Sequence, residues 1–368
     1  MSKKILITAM VLFVALIGLL FFYRLEKRRD AGGKRPVVGL ILTGARDGGG
    51  WNESHYMALR SLADEMGFEL ICVENVSEYD DSVLPVIDQL AKNGARVICL
   101  AGLNYGKSAV KVLDRYSDIF FLNASGLERG RNLVSFFGKM YQARYLSGIV
   151  AGMETKSGNV GYVGAMRVDE VVRGMNAFAL GVRSVNPGAT VHVAFSGLWS
   201  DPDAEIRCAN LLMDTYGADV LTYHQNTKTV ALEADKNGVF SITYHTANNG
   251  GLSERCLTGA IWNWVPFYRE RIEDGLYRRS QQRIYWLGLA EGIVDLAPFS
   301  PLVKPETAAK VAEARARIVG GEWDVFYGPI RDNTGELRIE EGSSMSDDRM
   351  IFNFNWFVEG VEIAPSPN

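Results

Sequence analysis

A chain of 368 residues, 47% hydrophobic and 22% charged, is long enough for two domains of ordinary size, each with its own core. Its net charge of −4 carries no basic excess, which excludes a nucleic-acid partner, because phosphate binding needs clustered Lys and Arg. The four cysteines, Cys72, Cys99, Cys208 and Cys256, show no CxxC or Cys/His spacing, so no zinc site is expected, and Cys72 and Cys99 sit in apolar runs as buried thiols.

Residues 5–23 contain no charged side chain. As a helix this run spans roughly 28 Å, close to the hydrocarbon thickness of a bilayer. No small-residue cleavage site follows it, so it reads as an uncleaved membrane anchor. Arg24, Lys27, Arg28 and Arg29 place more positive charge after the run than Lys3 and Lys4 place before it, against the orientation an outward-facing domain prefers. A charged, Gly-containing linker extends to residue 36.

A regular alternation then begins. Apolar β-rich runs at 37–42, 68–73, 96–100, 119–122 and 133–137 are separated by helical patterns at 53–65, 82–93 and 105–116. It restarts after Tyr141, with strands at 159–163, 191–195, 220–224 and 240–243 and helices at 142–155, 170–185, 202–216 and 227–237. Continuously apolar strands alternating with helices predict α/β lobes built on doubly wound parallel sheets. Two such units give two lobes, a hinge and an interlobe cleft. The expected division is 1–35 for anchor and linker, 36–137 plus 248–282 for lobe one, 138–247 plus 283–335 for lobe two, and 336–368 for a C-terminal tail, with an edge strand at 350–358. A helix is expected at 305–320.

Three distant segments place a tryptophan beside a short polar side chain: Gly50-Trp51-Asn52, Trp199-Ser200-Asp201 and Trp262-Asn263-Trp264. Each falls near a strand end, where open α/β sheets bind ligands. Aromatic faces with Asn and Asp edges suit a flat, polar-edged ligand such as a nucleobase. Gly48-Gly49-Gly50 lacks both phosphate-loop spacings and instead gives the backbone a tight turn that lets a ligand come close. No GxSxG, HExxH or Cys–His pair is present. His224 and His245 end strands of lobe two and could donate to a ligand, but no partner for a general base is identifiable. Neither a metal nor a cofactor is implied.

Several ordered motifs resemble the basic membrane protein family, the solute-binding components of ABC importers for purine nucleosides and related bases. They include Gly138-Lys139-Met140-Tyr141-Gln142-Ala143, Glu170-Val171-Val172-Arg173-Gly174-Met175-Asn176, Trp199-Ser200-Asp201-Pro202, Tyr223-His224-Gln225, Trp262-Asn263-Trp264 and Tyr285-Trp286-Leu287-Gly288. The likeness spans about residues 36–335, and the Trp-Asn-Trp and His-Gln elements resemble its adenine-type branch. The resemblance implies a type I periplasmic-binding-protein-like fold and a purine ligand. It implies Trp51 and Trp199 as stacking partners, Asn52, Asp201, Gln225, Asn226 and Asn263 as hydrogen-bonding groups, and Tyr141 and Trp262 as walls. The chain departs from the family pattern at Asp47–Asn52, which is one residue longer, and at Asn226-Thr227-Lys228 and His245-Thr246.

The leading expectation is a membrane-tethered extracytoplasmic protein that captures a purine base or nucleoside and delivers it to an ABC permease without chemistry. The alternatives are a tethered sensing subunit that signals through a partner, and an enzyme using His224 or His245 as acid or base.

Overall fold

A computed structural model describes residues 35–248, 250–277 and 283–365. The segment 5–23 expected to cross the membrane lies outside them. Among the described residues no helix is long and apolar enough to do so.

The chain opens with β1 (Val37–Leu42), α1 (Gly50–Met66), β2 (Glu69–Val73), α2 (Val83–Lys92), β3 (Ala95–Ala101), α3 (Tyr105–Ala109), β4 (Phe120–Ala124) and β5 (Leu133–Gly138). It continues through α4 (Met140–Glu154), β6 (Asn159–Gly164), α5 (Asp169–Val185), β7 (Thr190–Phe195), α6 (Pro202–Asn210), β8 (Val220–His224), α7 (Thr229–Lys236), β9 (Phe240–His245) and β10 (Cys256–Trp262). The remainder is α8 (Val265–Leu276), β11 (Ile284–Leu287), β12 (Val294–Leu296), α9 (Pro305–Val319), β13 (Ile330–Arg331), β14 (Leu337–Ile339), α10 (Asp347–Phe352) and β15 (Val361–Ile363). One sheet has the order β11-β5-β4-β3-β1-β2 with every pair parallel. The second has the order β12-β10-β9-β8-β6-β7-β15, parallel except for β10–β12. β1, β4 and β8 are buried at every residue, because helices cover both faces of each sheet.

Two helices of lobe two pack through glycine. A Cβ on Gly148 of α4 would lie 2.1 Å from the carbonyl oxygen of Phe178 on α5, and one on Gly181 would lie 2.1 Å from that of Tyr145. The helices therefore touch backbone to backbone.

The expected lobe boundaries need three corrections. β10 pairs with β9, with Ala260 opposite Tyr244, so residues 256–262 belong to lobe two. Among the described residues of 248–282, α8 is the element that returns to lobe one, where Arg269 pairs with Glu65 of α1 at 2.8 Å and Tyr268 Oη lies 2.7 Å from His55 Nδ1. β11 adds to β5, placing residues 284–287 in lobe one rather than lobe two. The C-terminal stretch is also no tail. Phe354, Trp356, Phe357 and Val358 are buried, and β15 joins β7 with Val361 opposite Val191. The edge strand is thus 361–363, while 350–358 begins on a helix capped by Ser346, whose hydroxyl accepts from the Arg349 N–H. A short apolar run carries no record of which distant strand it will pair with, which is why these boundaries shifted. All four cysteines are free, and Cys72 is only half-buried because β2 is an edge strand.

Candidate functional site

The interlobe cleft holds a cavity of about 500 Å³. Lobe one contributes Thr43 after β1, Trp51 at the start of α1, Ser125 after β4, and Phe137 of β5 with Trp286 of β11. Lobe two contributes Glu170 and Arg173 in the first turns of α5, Trp199 after β7, and His224, Asn226 and His245 around the ends of β8 and β9. These positions lie at the C-terminal ends of the strands, where the loops of a doubly wound sheet converge.

Trp51 presents an indole whose Nε1–H is already donated to the carbonyl of Ala101 at 3.0 Å. Its edges meet Trp262 and Trp264, each with ring centroids 5.7 Å away and nearly perpendicular. The indole is held in place while it lines the cavity. Trp199 sits across the cleft, half-buried, with its ring 6.0 Å from that of His224. The turn before α1 brings the lobes together: Gly49 and Gly50 have φ of 78° and 73°, and a Cβ on Gly50 would lie 2.6 Å from the carbonyl oxygen of Asn226. The glycine run expected to admit a ligand instead packs against the backbone of the other lobe, and none of its three glycines lines the cavity.

Of the residues singled out from sequence, Trp51, Trp199, His224, Asn226 and His245 line the cavity. The others do not. Asn52 is buried, and its Oδ1 accepts from the Thr43 hydroxyl at 3.2 Å, which pins the loop after β1. Tyr141 is buried one layer behind Trp286, donating to Asp324 at 2.7 Å. Asp201 caps α6 by accepting from the Ala204 N–H at 3.0 Å. Gln225 is buried and donates to Ser196 Oγ at 2.7 Å. Trp262 is buried beneath the cavity, stacked on Trp264 at 4.7 Å. Asn263 is exposed, with its backbone N–H bonded to Ile293. Strand alternation and helix capping, which need tertiary context to read, turned these side chains away.

Of the two cleft histidines, His245 has both ring nitrogens engaged by the protein, whereas His224 leaves Nδ1 without a partner among the described residues. His245 accepts from the Trp262 indole at Nδ1, 3.0 Å, and its Nε2 lies 3.1 Å from the carbonyl of Gln225. Nε2 must therefore carry the proton. Burial, with the positive charges nearby, holds its pKa well below the usual range. His224 Nε2 lies 3.2 Å from the Tyr244 hydroxyl and 3.6 Å from Glu170 Oε1. Burial pushes its pKa down to about 4, so it is neutral at physiological pH.

Glu170 and Arg173 were not singled out as ligand residues, although both lie in a quoted motif. The signal available was position: an acid and a base three residues apart, in the first turns of a helix that follows a strand end. Burial opposes ionisation of Glu170, but its hydrogen bond with His224 and the charges of Arg173 and Arg144 prevail, and its pKa lies below the ordinary value. The cavity thus holds a carboxylate with its side chain 35% exposed. Arg144 is fully buried below it, its guanidinium 3.9 Å from the Tyr244 ring centroid. Among the described residues no group of three or more His, Cys, Asp or Glu could hold a metal ion.

A sequence model of the ABC transporter substrate-binding, PnrA-like family matches residues 35–324. The chain belongs to this family. It is 32% identical over 331 residues to a purine-binding protein of Brucella abortus, covering 88% of this chain and 92% of that one. It is 31% identical over 318 residues to a Haloferax volcanii protein named as a candidate ABC transporter glucose-binding protein, covering 85% and 77%. In three dimensions it is similar to an ABC transporter solute-binding protein of Conexibacter woesei, with a TM-score of 0.67, 21% identity, and coverage of 78% of this chain and 98% of that one. The fold is that of the type I solute-binding proteins, and the protein is a substrate-binding component of an ABC transporter.

Proposed function

We propose that the cleft binds a purine base or nucleoside and passes it to an ABC permease, with the protein held at the membrane by residues 5–23. The observation that carries this reading is the pair of indoles on opposite lobes, Trp51 and Trp199, lining one cavity together with Phe137 and the Glu170 carboxylate. A planar base stacks on aromatic faces, and an ionised carboxylate accepts from its ring N–H, exocyclic amine or ribose hydroxyls. Neutral His224 and Asn226 supply polar edges beside it. The side chains of Asn52, Asp201 and Gln225 support the loops around the cavity. The Brucella relative's purine ligand supports the same reading.

A sugar is the competing ligand, favoured by the name of the Haloferax relative. A thermal-shift screen of the full chain in mild detergent separates them, because a ligand bound only by the native state raises the melting temperature. The expected result is a shift with adenine, adenosine or guanosine and none with D-glucose. The reverse pattern rejects the purine. Membrane fractionation tests the anchor: the full chain should stay in the pellet after a high-salt wash, and a chain lacking residues 1–34 should not.

A further inference from the structure

The family match ends at residue 324, yet the cavity is lined by Ile351 and Phe352 at the end of α10. This C-terminal stretch is built into lobe two. Asn176 on α5 donates to the carbonyl of Trp356 at 2.8 Å and accepts from the Val358 N–H at 3.0 Å, both buried. α10 itself is tied at two points. Arg173, which also lines the cavity, donates to the carbonyl of Met350 at 2.5 Å, and Lys139, where the chain leaves lobe one, lies 3.6 Å from Asp347. The Arg173 guanidinium also sits 5.4 Å from the ring of Trp286, so the helix end is registered to the hinge-side wall.

Against this fixed framework Phe352 stands 55% exposed. A large aromatic left open on an anchored helix, at the mouth of an aromatic cavity, is a contact waiting for its partner. Across the mouth, Tyr79 and Leu103 of lobe one line the same cavity and are 80% and 49% exposed. We infer that Ile351 and Phe352 form an additional wall of the binding cleft, and that Phe352 is an affinity- and specificity-determining residue that covers the bound ligand when the lobes close. Arg173 is the positioning residue for this wall. The inference deepens the purine reading and rests on it for the identity of the ligand.

The test compares wild type with Phe352→Ala and Phe352→Leu in the full chain. In the ligand-free protein, loss of the ring opens the cavity, and acrylamide quenching of tryptophan fluorescence should rise in Phe352→Ala. By calorimetry, adenosine should bind Phe352→Ala about tenfold more weakly, with most of the affinity restored in Phe352→Leu. The melting temperature should hold, because the side chain is largely exposed. Unchanged affinity in Phe352→Ala overturns the inference. A wild-type chain that binds none of adenine, adenosine and guanosine sinks the purine reading, and the quenching comparison then decides this inference alone: unchanged quenching overturns it.

Discussion

Replacing Trp199 by alanine tests the stacking half of the site with least damage to the fold. Its ring is half-buried, with the ring of His224 6.0 Å away. The main-chain bond from the Asn226 N–H to the Trp199 carbonyl, 2.8 Å, does not depend on the side chain and holds the loop. Base–aromatic stacking contributes about 1–3 kcal/mol, so the dissociation constant for adenosine should rise roughly 5- to 150-fold. Trp51→Ala should weaken binding by a similar amount but also lower stability. It removes the bond to Ala101 and the edge contacts with Trp262 and Trp264, and a buried Trp→Ala change costs about 3–5 kcal/mol, less at partial burial. Isothermal titration calorimetry with adenosine, alongside thermal melts, separates the two effects. Trp199→Phe keeps a π-face and should recover most of the loss. Wild-type affinity in both alanine variants would remove the stacking assignment altogether.

Glu170→Gln keeps the shape and removes the charge; adenosine binding should weaken by about 1.5–3 kcal/mol, the worth of a hydrogen bond to a charged group, and unchanged affinity in calorimetry would show that the carboxylate does not meet the ligand. Stability should fall as pH drops below the ordinary histidine range. His55, His224 and His245 are buried neutral, with pKa pushed down to about 3 for His55 and about 4 for His224 by burial, and well down for His245. The unfolded chain binds these protons below about pH 6.5 and the native state does not, so each histidine contributes a loss of up to about 1.4 kcal/mol per pH unit until its folded pKa is reached. Urea midpoints at pH 7, 6 and 5 measure this, and a flat profile would contradict the burial argument. Gly148→Ala should lower the melting temperature sharply, because its Cβ would lie 2.1 Å from a backbone carbonyl, whereas Gly188→Ala, with nothing within 4 Å, should leave it unchanged.

The residue order determined much of this protein by itself. Continuous apolar runs such as Val37–Leu42 can be stable only with both faces covered, and their alternation with helical periods dictates parallel α/β lobes with binding loops at the strand ends. Trp51, Trp199, His224 and His245 were picked out by their places near strand ends and line the cavity, whereas Asn226, which also lines it, was implied only by the family resemblance. Direction was not legible. Asp201 turned back to cap its own helix, Gln225 and Trp262 pointed below the cavity floor, and Tyr141 found Asp324, a residue 183 positions away. Pairing was not legible either. β10 and β11 are short apolar strands of similar character, and only long-range register assigns one to each lobe. The same is true of Glu170, Arg173 and Phe352. Their place on a helix was the only local signal for Glu170 and Arg173, and all three become part of the cleft only when α5 and α10 pack against each other. Local periodicity is a property of neighbours in the chain, whereas a binding site is a property of neighbours in space.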